Sequence, residues 1–132
     1  MFFEKLFAYH TYYLIISEDH FTLRLLETKQ EYRKKADEKM SSKSLLVSNL
    51  SYAKQLLQEC SSLLSQGFSF TKPLIIIHPT KILKQELSAV EIKLYETLAD
   101  AIKARKVLFH LEQELSFKEI ETLVEKEDGI DI

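Results

Sequence analysis

The sequence predicts an α/β domain, and three observations carry that prediction. Lys72–His78, KPLIIIH, contains a charge-free apolar run, Leu74–Ile77, set between Pro73 and Pro79, the pattern of a strand buried on both faces. Ser44–Gln66 repeats Leu46, Leu50, Ala53, Leu57, Cys60 and Leu64 at alternating spacings of four and three, which puts them on one helix face. Two capping signatures, Ser88 with Glu91 and Ser116 with Glu119, each announce a helix start.

With 132 residues, the chain suits one domain, 1–132, that buries roughly two-thirds of the surface its unfolded form exposes. Eighteen basic against 20 acidic residues give a net charge of -2, which argues against nucleic acid as the main partner. Two glycines leave little material for a phosphate-cradling loop. Cys60 is the lone cysteine, so no internal disulfide can form and a reducing, cytoplasmic setting is expected. There is no apolar run long enough to cross a bilayer, and the N-terminus lacks the layout of a signal peptide.

Taken in order, Met1–His10 sets Phe3, Leu6 and Phe7 on one face of a helical turn. That face suits either weak peripheral contact with the inner face of the membrane or a cap on the core before the first strand. Thr11–Ser17, TYYLIIS, is β-branched and aromatic. Phe21–Thr28 alternates Phe21, Leu23 and Leu25 against Thr22 and Arg24, a half-buried strand with its polar side to solvent. Glu18, Asp19 and His20 make the polar turn of a hairpin between the two. Lys29–Ala36 fits a charged edge strand or the start of a helix.

The long helix follows, with Leu45, Leu56 and Leu63 widening its stripe and Gly67 as its C-cap. Cys60 lies within the stripe and reads as a buried, inert thiol. Beyond the central strand and a loop over Pro79–Leu87, the helix begun at Ser88 buries Val90, Leu94, Leu98 and Ala101, with Leu87 and Ile92 as its hydrophobic staple. Lys106–Leu111 is the next strand, and the helix begun at Ser116 runs to about Glu127 before Gly129. Each later strand is reached through a helix, so right-handed crossovers make the two parallel neighbours.

The resulting order, β-β-(β)-α-β-α-β-α, is that of a mixed-sheet ribonuclease H-like, or actin-like, fold. The stretch KPLIIIHPT followed by LSAVEIKLYETLADAIKARKVLFHLEQ resembles subdomain IA of the bacterial actin homologue MreB, the rod-shape-determining protein. Val90-Glu91, Ala104-Arg105, Val107 and Glu112 match that family's pattern, and the resemblance covers nearly the whole chain but only one subdomain. It implies an actin-like scaffold and partners in cytoskeletal, cell-envelope or pilus assembly.

The departures are equally informative. Actin-like ATPases hold phosphate with an aspartate-x-glycine-threonine turn, and here Ile16 stands at the aspartate, with Glu18 and Asp19 at the glycine and threonine. Carboxylates at a phosphate contact repel the ligand, and without glycine the backbone cannot approach it closely. Lys103 replaces the family's turn glycine. The expectation is a non-catalytic protein-binding or self-associating module with no nucleotide, cofactor or metal. The serine-hydrolase, P-loop, CxxC and HExxH motifs are all missing, as are the acidic first-strand residues of a ribonuclease H-type nuclease.

A competing expectation places a small ligand or metal at the carboxyl ends of the parallel strands, where open α/β sheets bind ligands. Glu18, Asp19 and His20 come from the hairpin, His78 and Thr80 follow the central strand, and His110 and Glu112 follow the last one. Histidines beside carboxylates are the side chains of an acid–base or divalent-metal site. Solvated or packed histidines explain the same pattern without a ligand.

Overall fold

The computed structural model describes residues 11–17, 20–35, 50–64, 73–80 and 88–128. The N-terminal aromatic segment, Glu18, Asp19, the expected start of the long helix and the two glycines lie outside them. The elements are β1 (Thr11–Ile16), β2 (His20–Leu25), β3 (Gln30–Lys35), α1 (Leu50–Leu64), β4 (Leu74–Pro79), α2 (Ala89–Ala99), a 3-10 turn (Asp100–Ile102), β5 (Lys106–Phe109) and α3 (Phe117–Asp128). Five strands form one mixed sheet in the order β3-β2-β1-β4-β5. The first three form an antiparallel meander, while β4 and β5 lie parallel to β1 beyond it.

Strand alternation divides the core in two. Tyr12, Leu14 and Ile16 of β1 join Phe21, Leu23, Leu25, Ile75 and Ile77 on one face, which packs against α1 and α2. Tyr13 and Ile15 join Leu74 and Ile76 on the other, against Ile120 and Val124 of α3. Buried from both sides, β1 and β4 are continuous apolar runs, as a strand between helical layers must be.

The charged stretch after β2 is a strand rather than a helix. Lys29 takes a left-handed conformation at φ 56°, and the chain turns back to pair Gln30–Lys35 with β2. Consequently β2 ends at Leu25, three residues before the expected Thr28, because Leu26–Lys29 form the turn. Its expected solvent face is covered: Thr22 is buried and Arg24 half-buried under the side that carries α3.

Both capping boxes form. The Ser88 hydroxyl accepts from the Glu91 amide at 3.2 Å while Glu91 accepts from the Ser88 amide at 3.0 Å, and Ser116 and Glu119 repeat this at 3.2 and 2.9 Å. In α2 the buried residues are Tyr95, Leu98 and Ala99, with Leu94 partly buried; Val90, expected in the core, is 65% exposed. The stripe is centred one residue later than the sequence pattern suggests, and the first turn lies outside the core cluster. Leu63 of α1 is likewise exposed, whereas Ala53, Leu57 and Cys60 are fully buried. Burial raises the Cys60 thiol to about 11, in keeping with an inert core cysteine.

Where β2 turns away from β1, Leu26 N donates to Thr11 O at 3.0 Å, and Glu27 Oε1 accepts from Thr11 N at 2.7 Å. Glu27 Oε2 is buried with no hydrogen-bond partner among the described residues, and burial lifts this carboxyl to about 7. A carboxyl raised in the folded state stabilises the fold below its unfolded value, and this contribution fades as pH rises through the folded one. The unfolding free energy should therefore carry a Glu27 component that falls between about pH 4.5 and about pH 7, by up to roughly 3 kcal/mol, and levels off above that. Glu27→Gln should flatten this dependence and be the more stable protein at about pH 8.

Candidate functional site

The sheet register assembles a polar cluster under α3 from residues far apart in the chain. Glu31, Arg24, Tyr13, Ile76 and Leu108 lie level across the five strands. One step toward the strand ends, Thr22, Ile15 and His78 are level, and the pairing of Ile77 with Phe109 brings His110 beside His78.

Tyr13 is the hub. Its ring is fully buried, and its hydroxyl accepts from Leu115 N at 3.0 Å and lies 2.6 Å from His78 Nδ1. Burial, reinforced by nearby His110, holds the His78 imidazole below its ordinary value, so the ring is neutral at pH 7. The neutral ring accepts a hydrogen bond from the Tyr13 hydroxyl at Nδ1 and carries its own proton on Nε2, where the Glu112 main chain favours it. His110 meets His78 edge-on with ring centroids 5.1 Å apart, and His110 Nε2 donates to Gln113 O at 2.6 Å.

Arg24 closes the cluster on the other side of Tyr13. Its guanidinium bonds Glu31 and Glu114, each at 2.7 Å, and donates to Leu115 O at 3.1 Å. It also lies 5.9 Å from the ring centres of both Tyr13 and Phe117. Both main-chain polar groups of Leu115, one residue before the Ser116 cap, are thus held by sheet side chains. The cluster positions the start of α3.

Of the residues singled out in the sequence, His78 and His110 come together. Thr80 instead ties the end of β4 to the end of β1, since its amide and hydroxyl both donate to Ile16 O, at 2.9 and 3.0 Å. The His20 carbonyl accepts from Ser17 N at 3.0 Å and from Ser17 Oγ at 3.3 Å, closing the β1–β2 turn. His20 stands opposite Lys35, on the far side of β1 from the two neighbouring histidines. Glu112 is exposed, and Glu18 and Asp19 lie outside the described residues. No set of three or more His, Cys, Asp or Glu side chains among the described residues could hold a metal ion.

Tyr13 and Arg24 were not singled out from the sequence. The signal that could have found Arg24 is its place in a strand alternation whose other face was already assigned to the core, once both faces of the sheet are known to carry helices.

A comparison of the chain with protein-family models finds no match, and a comparison with curated proteins finds none either. None of the described helices is long and apolar enough to cross a membrane.

Removing the Tyr13 hydroxyl with Tyr13→Phe leaves His78 Nδ1 and Leu115 N without their partner, at a cost of about 1–3 kcal/mol. Urea unfolding should show the lower midpoint, and amides around Leu115 should exchange faster. A histidine depressed in the folded state stabilises the fold above its unfolded value and less as pH falls below it. This contribution, opposite in sign to that of Glu27 and read as the difference between wild type and His78→Gln, should therefore decline as pH drops below the ordinary histidine value of 6.5.

Proposed function

We propose that this chain is a non-catalytic, actin-like module of ribonuclease H-like topology that works by contact with a protein partner or with a second copy of itself. In keeping with its resemblance to an MreB subdomain, its setting would be cell-shape, envelope or pilus machinery at the cytoplasmic side of the membrane. The observation that carries the reading is the apolar first turn of α2, where Val90 is 65% and Ile92 36% exposed beside a capping box that holds the turn rigid. Large aliphatic side chains presented on a fixed turn are the material of a docking surface.

The strand order supports the scaffold, since a three-stranded meander followed by two parallel crossovers is what the resemblance implies. The site of the missing phosphate turn supports the loss of nucleotide. Ile16, aligned with the phosphate-loop aspartate of actin-like ATPases, is fully buried in the larger apolar cluster. The rival ligand-binding reading draws on the adjacency of His78 and His110, although His78 Nδ1 and His110 Nε2 are each hydrogen-bonded within the chain.

Analytical ultracentrifugation over a range of concentrations tests the self-association arm. The expected result is a mass that rises above the monomer with concentration and returns to monomer for the double variant Val90→Lys, Ile92→Lys. A fluorescent ATP analogue should show no binding in the micromolar range. Saturable micromolar binding would overturn the reading.

A further inference from the structure

We propose that the open edge of β5 pairs with β5 of a second copy of this chain, antiparallel and about a two-fold axis at Leu108, so that two sheets join into one. The proposal rests on the self-association arm of the docking-module reading and gives that arm a strand and a register.

The two edges of the sheet differ in character. β3 carries Glu31, Arg33, Lys34 and Lys35, the kind of charge that keeps an edge strand from pairing. β5 forms the other edge and pairs only with β4 among the described residues. It is apolar over Val107, Leu108 and Phe109, all of them half-buried. An apolar edge without protecting charges is a template for a further strand.

The phase of the β4–β5 ladder decides which main-chain groups of that edge are open. His110 N donates to Ile77 O at 3.0 Å, and alternation from this bond points the Leu108 main chain at β4. The N–H and C=O groups of Val107 and Phe109 then point away from the sheet. Only one antiparallel register uses both open residues of both copies: Val107 faces Phe109, Phe109 faces Val107, and Leu108 faces Leu108 on the axis. Each Val107–Phe109 pair exchanges both of its N–H···O bonds, and apolar side chains meet on both faces.

Charge selects a second copy as the occupant. Lys103, Arg105 and Lys106 stand at the start of β5, with Asp100 the nearest carboxylate before them in sequence, and Glu112 and Glu114 follow its end. Antiparallel pairing of two copies brings each basic start to the other's acidic end. Glu114 is held by Arg24, which leaves Glu112 to act. It is exposed and lies two residues beyond His110, the residue that faces Lys106 in this register, so it is a diagonal neighbour of Lys106. The Tyr95 ring of α2 meets that of Phe109 at 6.2 Å between centroids, so α2 lies over the β5 side of the sheet. A two-fold axis normal to the sheet sets both α2 helices on one face, and the α2 and β5 variants thus bear on one isologous dimer.

The test is oxidative cross-linking of the full chain carrying Leu108→Cys, with Lys118→Cys on α3 as the control. Leu108→Cys should give a disulfide-linked dimer well ahead of the control, because side chains facing each other across an antiparallel pair have Cβ atoms about 4.5–5.5 Å apart. Since trimming Leu108 can loosen the core, charge exchange supplies a second measurement. Lys106→Glu and Glu112→Lys should each weaken the sedimenting dimer about three- to tenfold while urea midpoints stay close to wild type. Mixing the two single variants, or joining both changes in one chain, should restore it. The proposal is overturned if wild type stays monomeric at about millimolar concentration. It is equally overturned if Leu108→Cys cross-links no faster than the control, or if the charge variants fail to weaken and then restore the dimer. Negative edge results with a dimer that Val90→Lys, Ile92→Lys still disperses overturn the β5 register alone. Positive edge results with a dimer that survives the α2 variant overturn the α2 surface alone.

Discussion

Everything in this fold depends on β1 being paired on both sides and buried on both faces. It is antiparallel to β2 and parallel to β4, so the backbone pairing of the hairpin with the helix-linked half of the chain runs through it, with Arg24 of β2 adding side-chain bonds to Glu114 and Leu115. The Thr11–Ile16 side chains are all buried, alternating between the two clusters. A polar side chain in this strand must find a partner or cost the fold dearly. Tyr13 satisfies that condition through His78 and Leu115, and in doing so fixes where the last helix begins.

The two helical layers are therefore held differently. Apolar contact is the main seat of α1 and α2 against one face, with Tyr95, Leu98 and Ala99 fitting onto the sheet and Ser61 of α1 donating to the Tyr12 hydroxyl at 3.3 Å. On the other face, α3 is positioned at its start by polar groups of the sheet and farther along by Ile120 and Val124. This division leaves Val90 and Ile92 on the first turn of α2 exposed. Exposed aliphatic side chains of this kind are what the proposed docking role requires.

Much of the architecture was legible because its determinants are local. The β4 run, the two capping boxes and the helix around Cys60 are each written within a few consecutive residues, and all appear where the sequence places them. Lys29–Ala36 stayed ambiguous because its charges satisfy an edge strand and a helix equally, and the turn at Lys29 decides between them. Val90 misled because a stripe shifted by one residue uses nearly the same apolar positions. The polar cluster was legible only in part. Strand-end reasoning brought His78 and His110 together, but Tyr13 and Arg24 acquire their roles from register, which pairs residues up to about a hundred positions apart. Glu27 was invisible for the same reason, being an ordinary turn glutamate until β1 closes over it.

Native-state hydrogen exchange on the β1 and β4 amides tests the dependence on β1 most directly. With β1 as the strand that joins the two halves, the slowest amides of Tyr12–Ile16 and Ile75–Ile77 should exchange together, at the free energy of global unfolding, while those of β3 open earlier. If β1 exchanges ahead of β3, or if β1 and β4 open in separate steps, the two halves hold together by some other means.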